Sequence, residues 1–408
     1  MLKKFKQQIQ KEAENIEQEM WETALFIHEH PELGSAEFQA VEKLTELLEK
    51  HGFKVEREVA GLKTAFRATY VLNGNTSPTV AYLAEYDALP EVGHACGHNL
   101  IGAMSAGAGI LLSKLKDGLK GRIIVLGTPD EEGGGGKILM VKEGLFHDVD
   151  AAMMIHPGGS GDIKRKWNLA AFPVDVEFHG KPAHAAAKPY EGINALDAML
   201  ALFNNIAQLR QQLKDDVRIH GIITHGGAAS NIIPEYTRGS FIVRASELDR
   251  THAVLEKFKN CVKAAALATG ATENIHIDFE KVYEPLMTNN VLMDLYGENM
   301  RSLGVDVEEQ SASELGGSSD IGNVSQVVPA IHPTGGIAEP GQEIISHSHE
   351  FAAASKSERA KTAMMQGMQA LAMCGVDLLG NPDTLRTVKE EFQQNMTKRK
   401  AVSDAKKH

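Results

Sequence analysis

Cysteine is scarce in this 408-residue chain, with three residues, Cys96, Cys261 and Cys374. An odd, widely spaced trio makes no disulfide framework, so the fold has to come from a packed core. Long apolar runs are missing too. No stretch approaches the ~20 residues that span a bilayer, and the N-terminus has no apolar signal core. The expectation is a cytoplasmic protein with no membrane partner. Basic charge is also short: 42 Lys and Arg against 54 Asp and Glu leave a formal charge of −12. Nucleic-acid backbones need concentrated Lys and Arg, so such a partner is not expected. The basic runs Lys3-Lys4-Phe5-Lys6 and Lys398-Arg399-Lys400 lie near the ends and read as solvated termini. Tandem repeats and long low-complexity stretches are absent as well.

What is present is ordinary globular sequence, 43% hydrophobic and 24% charged, and long enough for two or more domains. Residues 1–30 repeat Phe5, Ile9, Ile16, Met20, Trp21, Leu25 and Phe26 near helical spacing, and a second helix opens at Ser35 and Phe38. Strand patterns follow at 53–59, 64–72 and 79–83, then a small-residue helix at 100–115 and buried strands at 122–126 and 151–155. This alternation predicts an α/β domain with a mixed, largely parallel sheet flanked by helices. From about Asn168 the order becomes β-α-β-β-α-β, that of a ferredoxin-like α+β unit. The expected organisation is a discontinuous domain over 1–168 and 287–408, with 169–286 inserted. A helix at 291–303, an apolar helix from about Ser355 to Cys374 and a polar tail finish it.

Chemistry gathers at the strand ends. The 79–83 strand delivers Glu85, Tyr86 and Asp87 at its carboxyl end, where open α/β sheets keep their sites. His94, Cys96 and His98 then stand at i, i+2 and i+4, one face of an extended segment. Thiolate with imidazole suits a borderline-soft divalent metal, although a turn holding a buried Cys and two surface histidines would look alike. Glu131-Glu132 and His156 follow later strands, and His347 and His349 come late, in Ile-Ser-His-Ser-His-Glu. Such a set can clamp two metals around a nucleophilic water. One carboxylate of the Glu pair would ligate while its neighbour takes the water's proton. The run Gly133–Gly136 before Lys137 suggests a phosphate loop, but Ile138 stands where Ser or Thr is required. A tight strand-to-helix turn is the better account. Cys261 and Cys374 lie in apolar helical patterns and read as core.

Gly-His-Ala-Cys-Gly-His, Pro-Asp-Glu-Glu-Gly-Gly-Gly-Gly and Met-Met-Ile-His-Pro, in that order, resemble the dinuclear metallopeptidases of the aminoacylase and carboxypeptidase type. More narrowly they resemble the amidohydrolase branch, which includes aminobenzoyl-glutamate hydrolases and aminoacylase-like dipeptidases. The resemblance implies two divalent metals, Zn²⁺ or Mn²⁺, held by Cys96, His98, Glu132, His156 and His347, with Glu131 as general base. It implies hydrolysis of an N-acyl amino acid or dipeptide, and a role for Asp87 in orienting a ligand. The insert over 169–286 would be a lid through which the chain forms a homodimer or higher oligomer. In that lid, His184 of Gly-Lys-Pro-Ala-His-Ala would reach across the dimer to stabilise the oxyanion. Asn231 and Arg244 match positions that bind the substrate's carboxylate or scissile carbonyl.

Asn99 departs from the family's common Asp, and Ala-Glu-Tyr-Asp from its Arg-x-Asp-x-Asp. His94, His220, His225 and His349 take no assigned role. Two competing readings stand beside the metallo-amidohydrolase. One is a cysteine amidase with Cys96 activated by His98 or His94. The other is a non-catalytic, metal-stabilised binding protein, against which Glu131 speaks, since metal holding does not need it.

Overall fold

The apolar stripe at the start of the chain becomes α1 (Leu2–Glu29), burying Ile9, Met20, Ala24 and Ile27, and α2 (Phe38–Lys50) follows. A computed structural model describes residues 1–116, 118–165, 168–309, 316–339 and 341–405. Antiparallel strands β1 (Lys54–Arg57) and β2 (Phe66–Leu72) lead to β3 (Thr79–Ala84), α3 (His98–Ser113), β4 (Gly121–Gly127), α4 (Gly136–Lys142) and β5 (Ala151–Met153). Short strands β6 (His156–Gly158) and β7 (Ile163–Arg165) end this part. Next come β8 (Ala170–His179), α5 (Ala195–Arg210), β9 (Arg218–His225), β10 (Tyr236–Ala245), α6 (Leu248–Thr269) and β11 (Thr272–Ile277). The chain continues through α7 (Asn290–Ser302), β12 (Glu308–Glu309), α8 (Ile321–Val324), β13 (Ala330–Ile331) and β14 (Thr334–Gly336). It closes with α9 (His349–Ala354), α10 (Glu358–Gly380) and α11 (Pro382–Ala405).

Two compact units result: Met1–Lys166 with Leu286–Glu314 and Asp320–His408, and Trp167–Pro285 with Leu315–Ser319. The first holds a six-stranded sheet in the order β1-β2-β4-β3-β5-β13, parallel from β4 to β13 with an antiparallel edge. It is the mixed, largely parallel α/β sheet that the alternating pattern predicts. Every residue of α3 is buried. Its small residues allow this: a Cβ on Gly107 would stand 2.1 Å from Met368 Sδ of α10, and one on Gly109 2.6 Å from Val125 of β4. A smaller sheet, β12-β7-β14-β6, left no readable pattern because its strands have two or three residues each.

The second unit folds as an antiparallel sheet, β11-β8-β10-β9, with α5 and α6 supplying Met199, Leu202, Leu255 and Phe258 to its core. Its β-α-β-β-α-β order is that of the ferredoxin-like pattern.

Two expectations need correction. The polar tail is the 24-residue helix α11. Buried Leu385 and Val388 and half-buried Phe392 form a narrow helical stripe there, and Glu391 accepts from the backbone of Asn290 and Val291 at the start of α7. Lys6, read as a solvated terminus, donates instead to Asn299 at 2.8 Å and Asp377 at 2.7 Å, pinning α1 to α7 and α10. No helix among the described residues is long and apolar enough to cross a membrane.

One buried acid ties α2 to the end of β4. Glu37 is fully buried and accepts from Asp130 N at 2.8 Å and Thr64 Oγ1 at 2.7 Å. Burial pushes its carboxyl up to about 7 despite those donors. The folded state therefore binds a proton that the unfolded state releases, and stability contributed by this group falls as pH rises from about 4.5 to 7. Glu37→Gln keeps the shape and removes the titration. Its melting temperature should decline less than wild type across that window. Circular-dichroism melts at several pH values measure it, and an unchanged slope would exclude Glu37 as the source.

Candidate metal centre

The parallel strands of the first unit all release their chains at one end, and the candidate residues sit there. After β3 come Glu85 and Asp87; after β4, Glu131 and Glu132; after β5, His156; and His98 is the first residue of α3. Gly97 takes φ +78°, and a Cβ there would fall 2.8 Å from Pro157, so only glycine lets the Cys96–His98 turn close on the His156 loop.

Hydrogen bonds fix the rings. Asp87 is buried and its Oδ1 accepts from His98 Nδ1 at 2.8 Å, while its Oδ2 accepts from Glu132 N at 2.9 Å. His156 Nδ1 lies 2.6 Å from the carbonyl of Pro157. Carboxylate and carbonyl only accept, so each ring carries its proton on Nδ1 and presents a bare Nε2. His98 Nε2 lies 3.4 Å from Glu85 Oε2 and 3.9 Å from Glu132 Oε1, and His156 Nε2 lies 3.4 Å from Cys96 Sγ. His347 Nε2 is 3.3 Å from Glu132 Oε1. His347 itself has φ +67° and donates its backbone N–H to Ala95 O at 2.9 Å, a strained conformation docked on the Cys96 turn.

Donor atoms within 4.8 Å of one another form four groups: Cys96, His98 and His156; Cys96, Glu132 and His347; His98, Glu131 and Glu132; and Glu85, Glu131 and Asp320. The structure thus brings Cys96, His98, Glu131, Glu132, His156 and His347 together. His94, although buried, belongs to none of these groups. Nor does His349, the exposed first residue of α9. Asn99 gives Nδ2 to the carbonyls of Ala24 and Ser355, which an Asp could not do.

A metal fits this donor set. His98 Nε2 and Glu132 Oε1 are buried without a hydrogen-bond partner, a costly state that a cation would relieve. Burial works against the Glu132 carboxylate, yet His347 and His98 hold it down at about 2, ready to ligate. Burial and the neighbouring Glu85, Asp320 and Glu132 raise Glu131, separating the two members of the pair. The Cys96 thiol is pushed up to about 12 by burial, the reverse of what a cysteine nucleophile needs. A metal cation would make it a thiolate.

Comparison with known proteins agrees. Residues 81–372 match the model of Peptidase family M20/M25/M40. The chain belongs to this family. It is a metal-dependent peptidase or amidohydrolase. The chain is 37% identical to the Xaa-Arg dipeptidase of Mus musculus over 388 residues, covering 92% of this chain and 89% of that one. It is 33% identical to a p-aminobenzoyl-glutamate hydrolase of Escherichia coli strain K12, over 65% of this chain and 58% of that one. A dinuclear metal-binding peptidase of the M20 family from Bacillus subtilis shares the fold, with a TM-score of 0.67 at 19% identity, covering 89% of this chain and 99% of that one.

The remaining candidates lie in the second unit. His184 is exposed, and its Nδ1 accepts from Ala186 N at 3.3 Å and Ala187 N at 3.2 Å, which puts the ring proton on Nε2. Its neighbour Ala185 donates to Asn231 O at 3.0 Å, so His184 and Asn231 share one loop pair. Arg244 is elsewhere. Its Nε donates to His220 Nε2 at 3.2 Å and its Nη1 to Ser318 Oγ at 3.0 Å. Asn231 precedes β10 and Arg244 is near its end, so strand rise separates the two sites by about 27 Å. His225 stacks its ring near Tyr236. Sequence reasoning passed over His332, buried with its ring edge-on to His156 at 5.5 Å. The repeated Ile-His-Pro of 155–157 and 331–333 was the available signal.

Asp87→Asn accepts at only one of the two positions that Asp87 serves. We expect a fold-competent protein with metal affinity lowered about 10–100-fold. Competition against a chromogenic chelator measures it, and unchanged affinity would show that His98 needs no such orientation.

Proposed function

We propose that this enzyme cleaves a dipeptide or N-acyl amino acid, releasing an amino acid with a free carboxylate. The observation that carries the reading is the convergence of Cys96, His98, Glu132, His156 and His347 with a buried acid, Glu131, beside them. Xaa-Arg dipeptides are the first substrates to try, because the likeness to the mouse dipeptidase spans nearly the whole chain. Aminobenzoyl-glutamate is the second, on a match of narrower coverage.

Cys96, His98, Glu132, His156 and His347 would hold two divalent metals, zinc on the softness of the thiolate or manganese on the harder carboxylates. Such metals polarise the scissile carbonyl and acidify water. Glu131 takes the proton of the attacking water and delivers it to the departing amine. Asp87 keeps His98 oriented throughout. Three cysteines without disulfides support a reducing, cytoplasmic setting.

Glu131→Gln should keep metal and fold but lose at least about 10²-fold in kcat, while Glu132→Gln should lose metal affinity. Elemental analysis should find up to two Zn²⁺ or Mn²⁺ per wild-type chain. Loss of metal from both variants would overturn the division of roles. Full activity after exhaustive metal removal would overturn the reading itself.

The second unit serves as a lid that pairs with its twin, edge strand to edge strand across a two-fold axis. Two features support this. The tautomer of His184 leaves Nε2–H as an exposed donor for a developing oxyanion. The ~27 Å between His184 and Arg244 along one sheet means that both serve one substrate only if they come from different copies. Arg244 then grips the product carboxylate. His184→Ala should lower kcat by about 10²–10³-fold with metal content unchanged. Mixing it with Glu131→Gln under subunit exchange should restore activity, since a hybrid dimer has one complete site. No recovery despite demonstrated exchange would place His184 within its own chain's chemistry or outside it.

A further inference from the structure

The glycine run ends in Lys137, which the proposed reaction leaves unused. Its side chain is fully buried, and a buried ammonium persists only where counter-charges meet it. Nζ donates to Glu85 Oε1 at 2.5 Å and to Asp320 Oδ1 at 2.7 Å. Asp320 Oδ2 also accepts from the Lys137 backbone N–H at 2.9 Å, so the lysine is held at both ends. Glu85 and Asp320 are themselves fully buried, and both offer an oxygen within 4.8 Å of one from Glu131. The other oxygen of Glu85 faces His98 Nε2 at 3.4 Å. One ammonium thus gathers two carboxylates into a wall that touches both the proposed base and the metal donors.

The local backbone is built to put it there. Asp130, at φ +60°, accepts from Gly134 N and Gly135 N through its carbonyl, turning the chain back under Glu131. A Cβ on Gly134 would stand 2.1 Å from Asp130 Oδ2, and one on Gly136 2.1 Å from Pro129 O. The glycines therefore form no phosphate cradle; they let α4 begin close enough for its second residue to reach Glu85 and Asp320.

We propose that Lys137 is a positioning residue for Glu131, locking Glu85 and Asp320 so that Glu131 stays in register for proton transfer. Without the ammonium, Glu85 and Asp320 would repel each other and Glu131. Glu85 would then rotate toward the cationic donors it already faces. The inference rests on the reading of Glu131 as general base.

Lys137→Met alone strands two buried carboxylates and should fold poorly, so the main probe is Lys137→Met with Asp320→Asn, which removes one charge of each sign. It should retain wild-type metal content by elemental analysis and a KM within about twofold, with kcat lowered about 10²-fold, the scale of a 1 Å misplacement. Glu85→Gln, which still accepts from Lys137 Nζ, is the second probe and decides the matter if the paired variant does not fold. It should lower kcat about tenfold with metal retained. Wild-type kcat in either folded variant overturns the proposal, as does metal loss that accounts for the missing activity. Glu131→Gln assayed alongside keeps the two ideas separate: if it stays active, the base assignment fails whatever the Lys137 variants do.

Discussion

The site hangs on the two hydrogen bonds accepted by Asp87. One oxygen takes the proton of His98 Nδ1 and the other the backbone N–H of Glu132, so one buried carboxylate ties the start of α3 to the loop after β4. Both partners are donors to an anion, the stronger class of hydrogen bond, and both lie away from water. The consequence is geometric. His98 has its tautomer set and its free nitrogen aimed at Glu85 and Glu132, while Glu132 cannot drift from the strand end that carries it. Sheet, helix and metal donors become one rigid object, and rigidity is what a hydrolytic centre needs from its scaffold.

Much of this was legible in the residues because it rests on local rules. Parallel strands read as apolar runs, strand ends carry the chemistry, and His-Ala-Cys-Gly-His is short enough for spacing alone to suggest a shared face. What stayed hidden depends on partners distant in sequence. Lys137 reads as the end of a failed phosphate loop until Asp320, 183 residues on, is seen to meet it. Asn99 reads as a departure from the family until its amide is found between Ala24 and Ser355. The helix α11 is hidden for another reason: a stripe as narrow as Leu385, Val388 and Phe392 is swamped by polar neighbours, and packing on α7 and α10 decides it.

The same distinction separates the two units. In the second, the β-α-β-β-α-β order is plain from alternation, yet nothing in the sequence says that His184 and Arg244 lie at opposite ends of one sheet. That fact comes from register: β10 runs its full length along β8, from Tyr236 opposite His179 to Ala245 opposite Ala170. A rigid strand acts as a ruler, and it rules out both residues of one lid acting at one amide bond.

Charge balance explains why metal and fold belong together here. Cys96, Glu85, Asp87, Glu131 and Asp320 are all buried, with Glu132 nearly so, and Lys137 is the fixed cation among them. Histidines 98 and 347 can each take a proton, and both are raised by their acidic neighbours, although burial opposes it for His98. Those protons and one ammonium still leave the acids in excess, so several must stay protonated, as Glu131 and Cys96 are disposed to do. Divalent cations would change that balance at once, converting the thiol to thiolate and drawing Glu132 and the bare imidazole nitrogens into coordination. Lys137 sits on the side of the cluster away from Cys96 and His347 in its contacts, neutralising the carboxylates that no metal group shares with them. The centre is therefore divided by charge: one half is completed by its own lysine, the other by the metals it binds, and Glu131 belongs to the groups on both sides of that line.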